Sequence, residues 1–287
     1  MHPLILGIDP NLEILPAQTW QELDQKEYSS VQQKLEFFCQ TCLQAAQNLL
    51  IGVKFQSAYF EKYGLVGLKV LSESLKSAKK MGLVTILDAK RGDIDRTSDA
   101  YAAAYLDNDQ DFSADFLTVS PFLGIQKSLE PFLQKAVQNN KGVFVLVRTS
   151  NPDAEILQDF ENQNNQNLSQ FIATEIQKIN QKALEDGYFN QVLGKGFGPI
   201  GAVVGATKPK LGAELRKLIP NSWFLCPGLG TQGGSFGDID NFYSNSQNGA
   251  WFPMSSGLTN LTELELRQNG LLEGITNRIK KYLSQFN

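Results

Sequence analysis

The sequence predicts a single-domain (β/α)8 barrel, and two observations lead there: the length of the chain and one alternating pattern. With 287 residues, of which 42% are hydrophobic, the chain can bury the core of one large barrel. Short apolar or β-branched runs alternate with longer segments whose apolar residues recur at three and four. Repeated β-then-α units predict a parallel sheet, and at this length a closed barrel is the most economical arrangement. No domain boundary is apparent between residues 1 and 287.

Eight strands are predicted from short apolar runs, several of them hydrophobic throughout, as expected for strands buried on both faces. The runs are LILGID (4–9), IGVKFQ (51–56), LVTILDA (83–89), FLTVSP (116–121), GVFVLV (142–147), GAVVGA (201–206), SWFLCPG (222–228) and AWFPMS (250–255). The clearest helical patterns between them cover 31–50, 68–82 and 168–187. An open doubly wound sheet is the alternative fold, but GIDPNL stands where its G-x-G-x-x-G is expected.

Two long polar segments, 10–30 and 149–166, follow the first and fifth predicted strands. In a barrel they would lie on the C-terminal face, where long loops are often lids or substrate clamps. Surface decoration without a function is an equally open interpretation. The tract FENQNNQNLSQ (160–170) has no core-forming residues at its centre, so we expect it to be mobile.

Composition excludes several classes of function. A net charge of −4 gives no electrostatic reason to expect nucleic acid or an anionic membrane as the main partner. Cys39, Cys42 and Cys226 form a sparse, odd set that argues against a disulfide scaffold and fits a reducing compartment. The CQTC pair lies inside a helical pattern without a second Cys or His pair, so we expect a structural role. No apolar run reaches the roughly 18 residues of a membrane span, and a cytoplasmic protein is expected.

The densest group of strand-end charges is Asp88-Ala89-Lys90-Arg91-Gly92-Asp93, directly after the apolar run LVTIL. Residues two apart in a strand face the same side, so Asp88 and Lys90 should project into the barrel mouth. Gly92 allows a sharp departure that aims Asp93 at the same place or at a neighbouring subunit. Lys54 ends the adjacent strand. The spacing therefore predicts a cluster of two lysines and two aspartates.

Such a cluster has a specific chemical use. Mutual pairing keeps the lysines charged and the carboxylates ionised in a partly desolvated pocket. A fixed ammonium beside a forming carbanion stabilises it and can then protonate it. A salt-bridge network that serves only the fold is the alternative. Catalysis is favoured, because four converging charges are costly without a function.

A glycine-rich segment, CPGLGTQGGSFGD, follows the seventh predicted strand and precedes a predicted helix. Barrels often bind phosphate at this position, with backbone N–H groups and a helix N-terminus. Gln232 adds a side-chain donor beside Gly233 and Gly234. Glycine-rich turns are common, so the segment indicates a phosphate site mainly through its place after strand seven.

The stretch LDAKRGDIDRT resembles the D-x-K-x-x-D-I-x-x-T motif of orotidine 5'-phosphate decarboxylases. The matching residues are Asp88, Lys90, Asp93, Ile94 and Thr97. GIDP, VKFQSAYFE, LVRTSNP, VVGAT and PGLGTQGG also look like the family's second, longer bacterial type, in matching order. The resemblance covers nearly the whole chain. It implies a TIM barrel that works as a homodimer with shared active sites and makes uridine 5'-phosphate in de novo pyrimidine biosynthesis.

The resemblance also implies a role for each matched residue. Lys90 would protonate C6 of the pyrimidine as CO2 departs, and Lys54, Asp88 and Asp93 would complete the charged array. No metal or organic cofactor is implied. The implied substrate contacts are Asp9 with the ribose, Ser120 near the pyrimidine ring, Gln232 with Gly233 and Gly234 at the phosphate, and Ile94 and Thr97 in the motif, with Asp93 and Thr97 reaching in from the partner subunit.

One departure from the family falls after the eighth strand. The family usually has an arginine there, in a sequence like S-S-R-G-I, that binds the phosphate, whereas this chain has Gly257 at that position. Its absence predicts either a substitute donor or a weakened phosphate site. The hydroxyls of Ser255 and Ser256, with backbone N–H groups, are the candidate substitutes.

Two alternatives to a decarboxylase follow from this departure and from the fold. One is a non-catalytic nucleotide-binding paralogue that kept the barrel and lost its phosphate clamp. The other is a Mg²⁺-dependent sugar-phosphate enzyme on a related barrel. Retention of the complete array argues against a binding-only protein, which has no need of costly buried charges.

Overall fold

A computed structural model describes residues 3–13, 30–244 and 248–286. Its eight strands form a closed barrel in chain order, which confirms the predicted fold. The internal packing divides the chain into two compact units, the first made of residues 1–88 and 253–287 and the second of 89–252. The expectation of one domain over 1–287 stays a prediction. Most of the predicted loop 10–30 lies outside the described residues.

All eight predicted strands are present, and most end within two residues of their predicted bounds. The strands are β1 (Leu4–Ile8), β2 (Gly52–Gln56), β3 (Val84–Arg91), β4 (Phe116–Val119), β5 (Gly142–Arg148), β6 (Ile200–Val204), β7 (Phe224–Leu225) and β8 (Ala250–Met254). Only β7 is much shorter than predicted, because Pro227 has no amide hydrogen for the ladder and the chain turns at Gly228, with φ 102°.

The helices lie between the strands, as the alternating pattern predicted. They are α1 (Val31–Ala46), α2 (Ser57–Glu61), α3 (Gly64–Lys80), α4 (Asp95–Leu106), α5 (Gln126–Gln138), α6 (Ala154–Gln158), α7 (Leu168–Glu185), α8 (Pro209–Leu218), α9 (Ser256–Thr259) and α10 (Glu263–Leu283), with a 3-10 helix at Phe236–Phe242. None of the described helices is long and apolar enough to cross a membrane.

In the first unit, β1, β2 and β3 pair in parallel, so that Gly7 lies beside Lys54 and Gln56 beside Asp88. Helix α1 begins at a capping box of Ser30 and Gln33. Both cysteines of the CQTC pair are buried unpaired thiols in α1, and burial raises the pKa of Cys39 to about 12. An inert thiol in a packed helix fits the expected structural role.

In the second unit, β4 to β7 pair in parallel, and large aromatic rings pack where these strands begin. The Phe116 and Trp251 rings lie 5.2 Å apart, and the Trp223 and Trp251 rings 5.1 Å apart. Glycine makes room for them, since a Cβ on Gly142 would lie 2.6 Å from the Phe116 ring. The aromatic layer therefore fixes the N-terminal ends of strands whose opposite ends carry the site.

The segment 149–166 is more ordered than the irregular loop that its composition predicted. It contains α6, and the side chain of Gln158 binds both the amide and the hydroxyl of Thr149, each at 2.8 Å. Asp159 pairs with the guanidinium of Arg148 at 3.1 Å. Side-chain hydrogen bonds hold this segment in place although it has few apolar residues to bury. A count of apolar residues does not predict such bonds. The expected mobility of 160–170 stays a prediction.

Arg216, buried in α8, ties together the chain segments that enter β7 and β8. Its guanidinium donates to the carbonyls of Phe242 and Gly249 at 2.9 Å and of Ser222 at 2.6 Å. It also lies 3.6 Å from the centre of the Phe224 ring. Several buried carbonyls therefore depend on one side chain for their donors.

We expect Arg216→Met to lower the free energy of unfolding by about 3 kcal/mol, because those carbonyls would be left buried without donors. The measurement is urea unfolding followed by circular dichroism. Arg267→Met is the matched control, since Arg267 is exposed and its ion pair with Glu263 spans 3.9 Å. Equal losses in the two variants would contradict the role given to Arg216.

Candidate active site

In the first unit, the middle residue of β2 is a buried lysine that pairs with a carboxylate of β3. Lys54 is 6% exposed, and its Nζ donates to Asp88 Oδ2 at 3.1 Å and to Gln56 Oε1 at 3.3 Å. Asp9 follows β1, and its Oδ1 is buried without a hydrogen-bond partner among the described residues. A buried carboxylate oxygen in that condition suits a ligand hydroxyl as its donor.

The charges around Lys54 decide its protonation state. Burial by itself lowers the pKa of the Lys54 ammonium, but the carboxylates of Asp88 and Asp9 outweigh that effect and raise the pKa above its ordinary value. Lys54 therefore stays charged at neutral pH although it is buried. The predicted pairing of Lys54 with Asp88 is present in the structure.

In the second unit, Lys90 is exposed near the end of β3 and has a left-handed backbone, with φ 49°. Few residues other than glycine adopt this conformation, and where they do, function is a common reason. The left-handed turn interrupts the strand alternation that placed Asp88 and Lys90 on one face. That shared face stays a prediction, since the period of two holds only for regular extended backbone.

Strand β3 ends at Arg91, directly before Gly92. A Cβ on Gly92 would lie 2.8 Å from the carbonyl oxygen of Ser120, so only glycine fits there. The carboxylate of Asp93 accepts the amide of Ile94 at 2.8 Å. Ile94 is 51% exposed, and Thr97, in the first turn of α4, is also exposed.

The glycine-rich segment after β7 folds back on itself. The amide of Gly234 donates to the carbonyl of Gly228 and the amide of Gly233 to that of Gly230, both at 2.9 Å. The helix that follows is a 3-10 helix, and Ser235 Oγ accepts the amide of Gly237 at its start. The Gly233 and Gly234 amides thus make hydrogen bonds inside the loop, and the phosphate role expected of this segment stays a prediction.

Two further polar side chains lie beside Gln232 in the second unit. Ser150 Oγ donates to Gln232 Oε1 at 3.3 Å. The methyl group of Thr207 lies 3.2 Å from where a Cβ on Gly228 would stand. Ser150 and Thr207 follow β5 and β6, and the sequence pattern assigned a role to neither of them. The sequence showed only that they follow strands. Their contacts could not be predicted from it, because these join residues that follow three different strands.

Ser120 lies just after β4 in the wall of a cavity of about 690 Å³. Apolar side chains from the loop after β4 and from α7 supply most of the remaining wall, among them Phe122 and Phe171. Neither Lys90 nor Asp93 is among the described residues that line it. The cavity therefore lies between Ser120 and helices α5 and α7 of the second unit.

These strand-end residues fall inside a match to a known family. Residues 3–250 match the model of the Orotidine 5'-phosphate decarboxylase / HUMPS family. The chain belongs to this family. The predicted resemblance is confirmed, and so is the predicted enzyme class, since these decarboxylases are carboxy-lyases.

Individual members of the decarboxylase family resemble the chain over most of its length. An orotidine 5'-phosphate decarboxylase of Rhodopirellula baltica is 40% identical over 238 residues, covering 82% of this chain and 76% of the relative. One of Caldicellulosiruptor bescii is 34% identical over 257 residues, covering 86% and 81%. A crystal structure from Streptomyces avermitilis, assigned to the same activity, superposes with a TM-score of 0.81 at 29% identity, covering 99% and 90%.

Gly257 stands where the decarboxylase family usually has an arginine. It is buried, and a different arginine binds its carbonyl. The carbonyl of Gly257 accepts Arg278 Nη1 at 3.0 Å. Arg278 also binds both carboxylate oxygens of Glu265, at 2.8 and 2.7 Å. Of the two serines, Ser256 is exposed, whereas the Ser255 hydroxyl packs against Gly7. Ser256 is thus the better placed of the two predicted substitutes.

The Arg278–Glu265 ion pair makes the free energy of unfolding depend on pH. The hydrogen bonds from Arg278 hold the pKa of Glu265 at about 2, below its ordinary 4.5. A carboxylate with a lowered folded-state pKa stabilises the fold above about pH 4.5, and that contribution is lost as the pH falls toward 2. We therefore expect Arg278→Leu to cost about 1–2 kcal/mol near pH 7, after allowing for solvent screening.

Near pH 3 the same variant should differ less from wild type, because Glu265 is partly protonated in the unfolded chain. Urea unfolding at both pH values measures the difference. Arg267→Leu removes an exposed, loosely paired arginine from the same helix and should lose little at either pH. An Arg278→Leu deficit that stays constant with pH would contradict the assigned pairing.

Proposed function

We propose that this chain converts orotidine 5'-phosphate to uridine 5'-phosphate and CO2 in pyrimidine biosynthesis. The observation that carries the proposal is the Lys54–Asp88 ion pair at 3.1 Å. Its aspartate stands two residues before Lys90 in the family motif. Family membership over residues 3–250 supports it independently. A buried pair of this kind costs desolvation, which a catalytic role explains.

In the proposed reaction, the bond between C6 and the carboxylate breaks, CO2 leaves, and the electron pair stays on C6. The resulting vinyl carbanion has no neighbouring group that delocalises it, so stabilisation must be electrostatic. The Lys90 ammonium faces that charge and then transfers its proton to C6. Lys54, Asp88 and Asp93 hold the charges in place, and no metal or organic cofactor takes part.

Substrate contacts are proposed for the residues that match the family. The unpartnered Asp9 oxygen accepts a ribose hydroxyl, and Ser120 contacts the pyrimidine ring. Ile94 and Thr97 border the base. Binding of the remote phosphate supplies free energy that helps to align the reacting groups. The proposed phosphate contacts are Gln232, Gly233, Gly234 and Ser256, with the side chain of Gln232 and the hydroxyl of Ser256 as the main donors.

We expect Lys90→Ala to lower kcat by at least about 10³-fold while the barrel still folds, because the proton donor is lost. The assay follows the loss of orotidine 5'-phosphate absorbance with EDTA present, and circular dichroism checks the fold. Lys80→Ala, at the exposed end of α3, is the matched control and should keep wild-type turnover.

Three results would overturn parts of this proposal. Near-normal kcat in Lys90→Ala would remove Lys90 from its role. Folded wild-type protein without turnover would favour the non-catalytic nucleotide-binding paralogue. Turnover abolished by EDTA would favour a metal-dependent barrel enzyme.

We also propose that the enzyme acts as a cytoplasmic homodimer with shared active sites. Large apolar side chains are exposed just after β3 and β4: Ile94 at 51%, Phe122 at 78% and Leu123 at 54%. Such exposure at adjacent strand ends is typical of a surface that another protein covers. In this arrangement Asp93 and Thr97 serve the active site of the partner subunit. The unpaired state of all three cysteines fits a reducing compartment.

Mixing two inactive variants tests the shared site. Lys90→Ala and Asp93→Ala should together recover about one quarter of wild-type activity, because half of the dimers are mixed and each has one intact site. Lys90→Ala mixed with Lys54→Ala should recover nothing, since both residues are proposed to serve the site of their own subunit. Recovery in neither mixture, with dimers seen by light scattering, would place Asp93 in its own subunit's site.

A further inference from the structure

One peptide group, between Ala89 and Lys90, is held at both of its polar ends by side chains. Its carbonyl, on Ala89, accepts Arg91 Nη1 at 3.0 Å. Its amide, on Lys90, donates to Thr118 Oγ1 at 2.9 Å. Neither bond belongs to a backbone ladder. The two side chains come from different strands, so they fix the plane of this peptide from two sides.

The orientation of this peptide determines where the Lys90 side chain points. The torsions flanking the peptide are ψ of Ala89 and φ of Lys90, and φ of Lys90 has the left-handed value of 49°. A lysine relaxes from that region toward negative φ unless its surroundings hold it. A change in φ of Lys90 that ψ of Ala89 did not compensate would turn the Cα–Cβ bond of Lys90 relative to β3. The two hydrogen bonds oppose that rotation.

Both side chains are themselves fixed. Thr118 is buried in β4 at 1% exposure. The Nε of Arg91 donates to the hydroxyl of Tyr105 at 3.1 Å, and its guanidinium lies 5.5 and 5.8 Å from the centres of the Tyr105 and Tyr101 rings. The rings of these two tyrosines, one turn apart in α4, are stacked 6.4 Å apart. The donor and the acceptor are therefore preorganised.

We propose that Thr118 and Arg91 are positioning residues that aim the Lys90 ammonium by clamping the Ala89–Lys90 peptide, with Tyr105 holding Arg91. The inference rests on the proposed function, because it gives Lys90 the proton transfer. Neither Thr118 nor Arg91 is given contact with substrate. Their effect is on the alignment of Lys90, to which rates are sensitive on the scale of about one ångström.

The first test is Thr118→Val, which keeps the shape of the side chain and removes the acceptor. We expect kcat to fall about 10- to 100-fold through misalignment of Lys90, with KM within about twofold of wild type. Thr118→Ser restores the acceptor and should recover kcat to within about threefold. The matched control is Thr174→Val in α7, which removes a hydroxyl bonded to the Gln170 carbonyl and should leave kcat unchanged.

A purely structural role predicts a different pattern. In that case Thr118→Val would lower the melting temperature but keep kcat within twofold of wild type, and this result would overturn the proposal. Failure of Thr118→Ser to recover kcat would also overturn it, because the lost hydroxyl would not be the cause. The two hypotheses fail in different ways. Wild-type protein without turnover would overturn the proposed function, whereas equal turnover in wild type and Thr118→Val would overturn only the clamp.

The second test uses the other side of the clamp, and its single variants, Tyr105→Phe and Arg91→Met, do not require Thr118→Val to fold. Tyr105→Phe keeps the ring under Arg91 and removes only the hydroxyl, so kcat should fall by about two- to fivefold. Arg91→Met should lower kcat more, and its loss should not multiply with that of Thr118→Val, since both release the same peptide. Unchanged kcat in Tyr105→Phe and Arg91→Met, or fully multiplicative losses in the double variant, would overturn the clamp.

Discussion

The ion pair between Lys54 and Asp88 is the interaction on which the rest of the site depends. A buried ammonium is tolerated only where carboxylates offset its lost hydration, and here Asp88 and Asp9 do so strongly enough to raise the pKa of Lys54. The pair holds the Lys54 ammonium on β2 against the Asp88 carboxylate on β3. A reaction that creates a localised carbanion needs charges that are already in place, because solvent cannot reorganise around it quickly or cheaply.

The barrel supplies the rigidity that such charges require. Strands begin among interlocked aromatic rings around Trp251 and Phe116, and Arg216 ties down the segments that enter β7 and β8. Near the opposite strand ends, Lys90 has a left-handed conformation and Gly92 lets the chain pass close to Ser120. Strain of this kind persists only where neighbouring groups hold it, and side-chain hydrogen bonds at both ends of the Ala89–Lys90 peptide do so.

The segment after β8 differs from the usual family sequence at one position. Gly257 replaces the expected arginine, and the guanidinium nearest to it in the first unit, that of Arg278, is committed to Glu265 and to the Gly257 carbonyl. The loop after β7 uses its own glycine amides for internal bonds. Under the proposed function, phosphate is met by the side chains of Gln232 and Ser256, which offer single hydrogen bonds in place of a bidentate guanidinium.

The sequence by itself determined the order of strands and helices, the family, and the pairing of Lys54 with Asp88. These follow from local periodicity and from a motif whose spacing fixes which residues end neighbouring strands. It could not determine the left-handed backbone of Lys90, the bonds that Thr118 and Ser150 make, or the internal bonding of the Gly228–Gly234 loop. Each of these depends on groups from separate segments meeting in space, and a one-dimensional pattern records composition and spacing but not the direction in which a hydrogen bond is made.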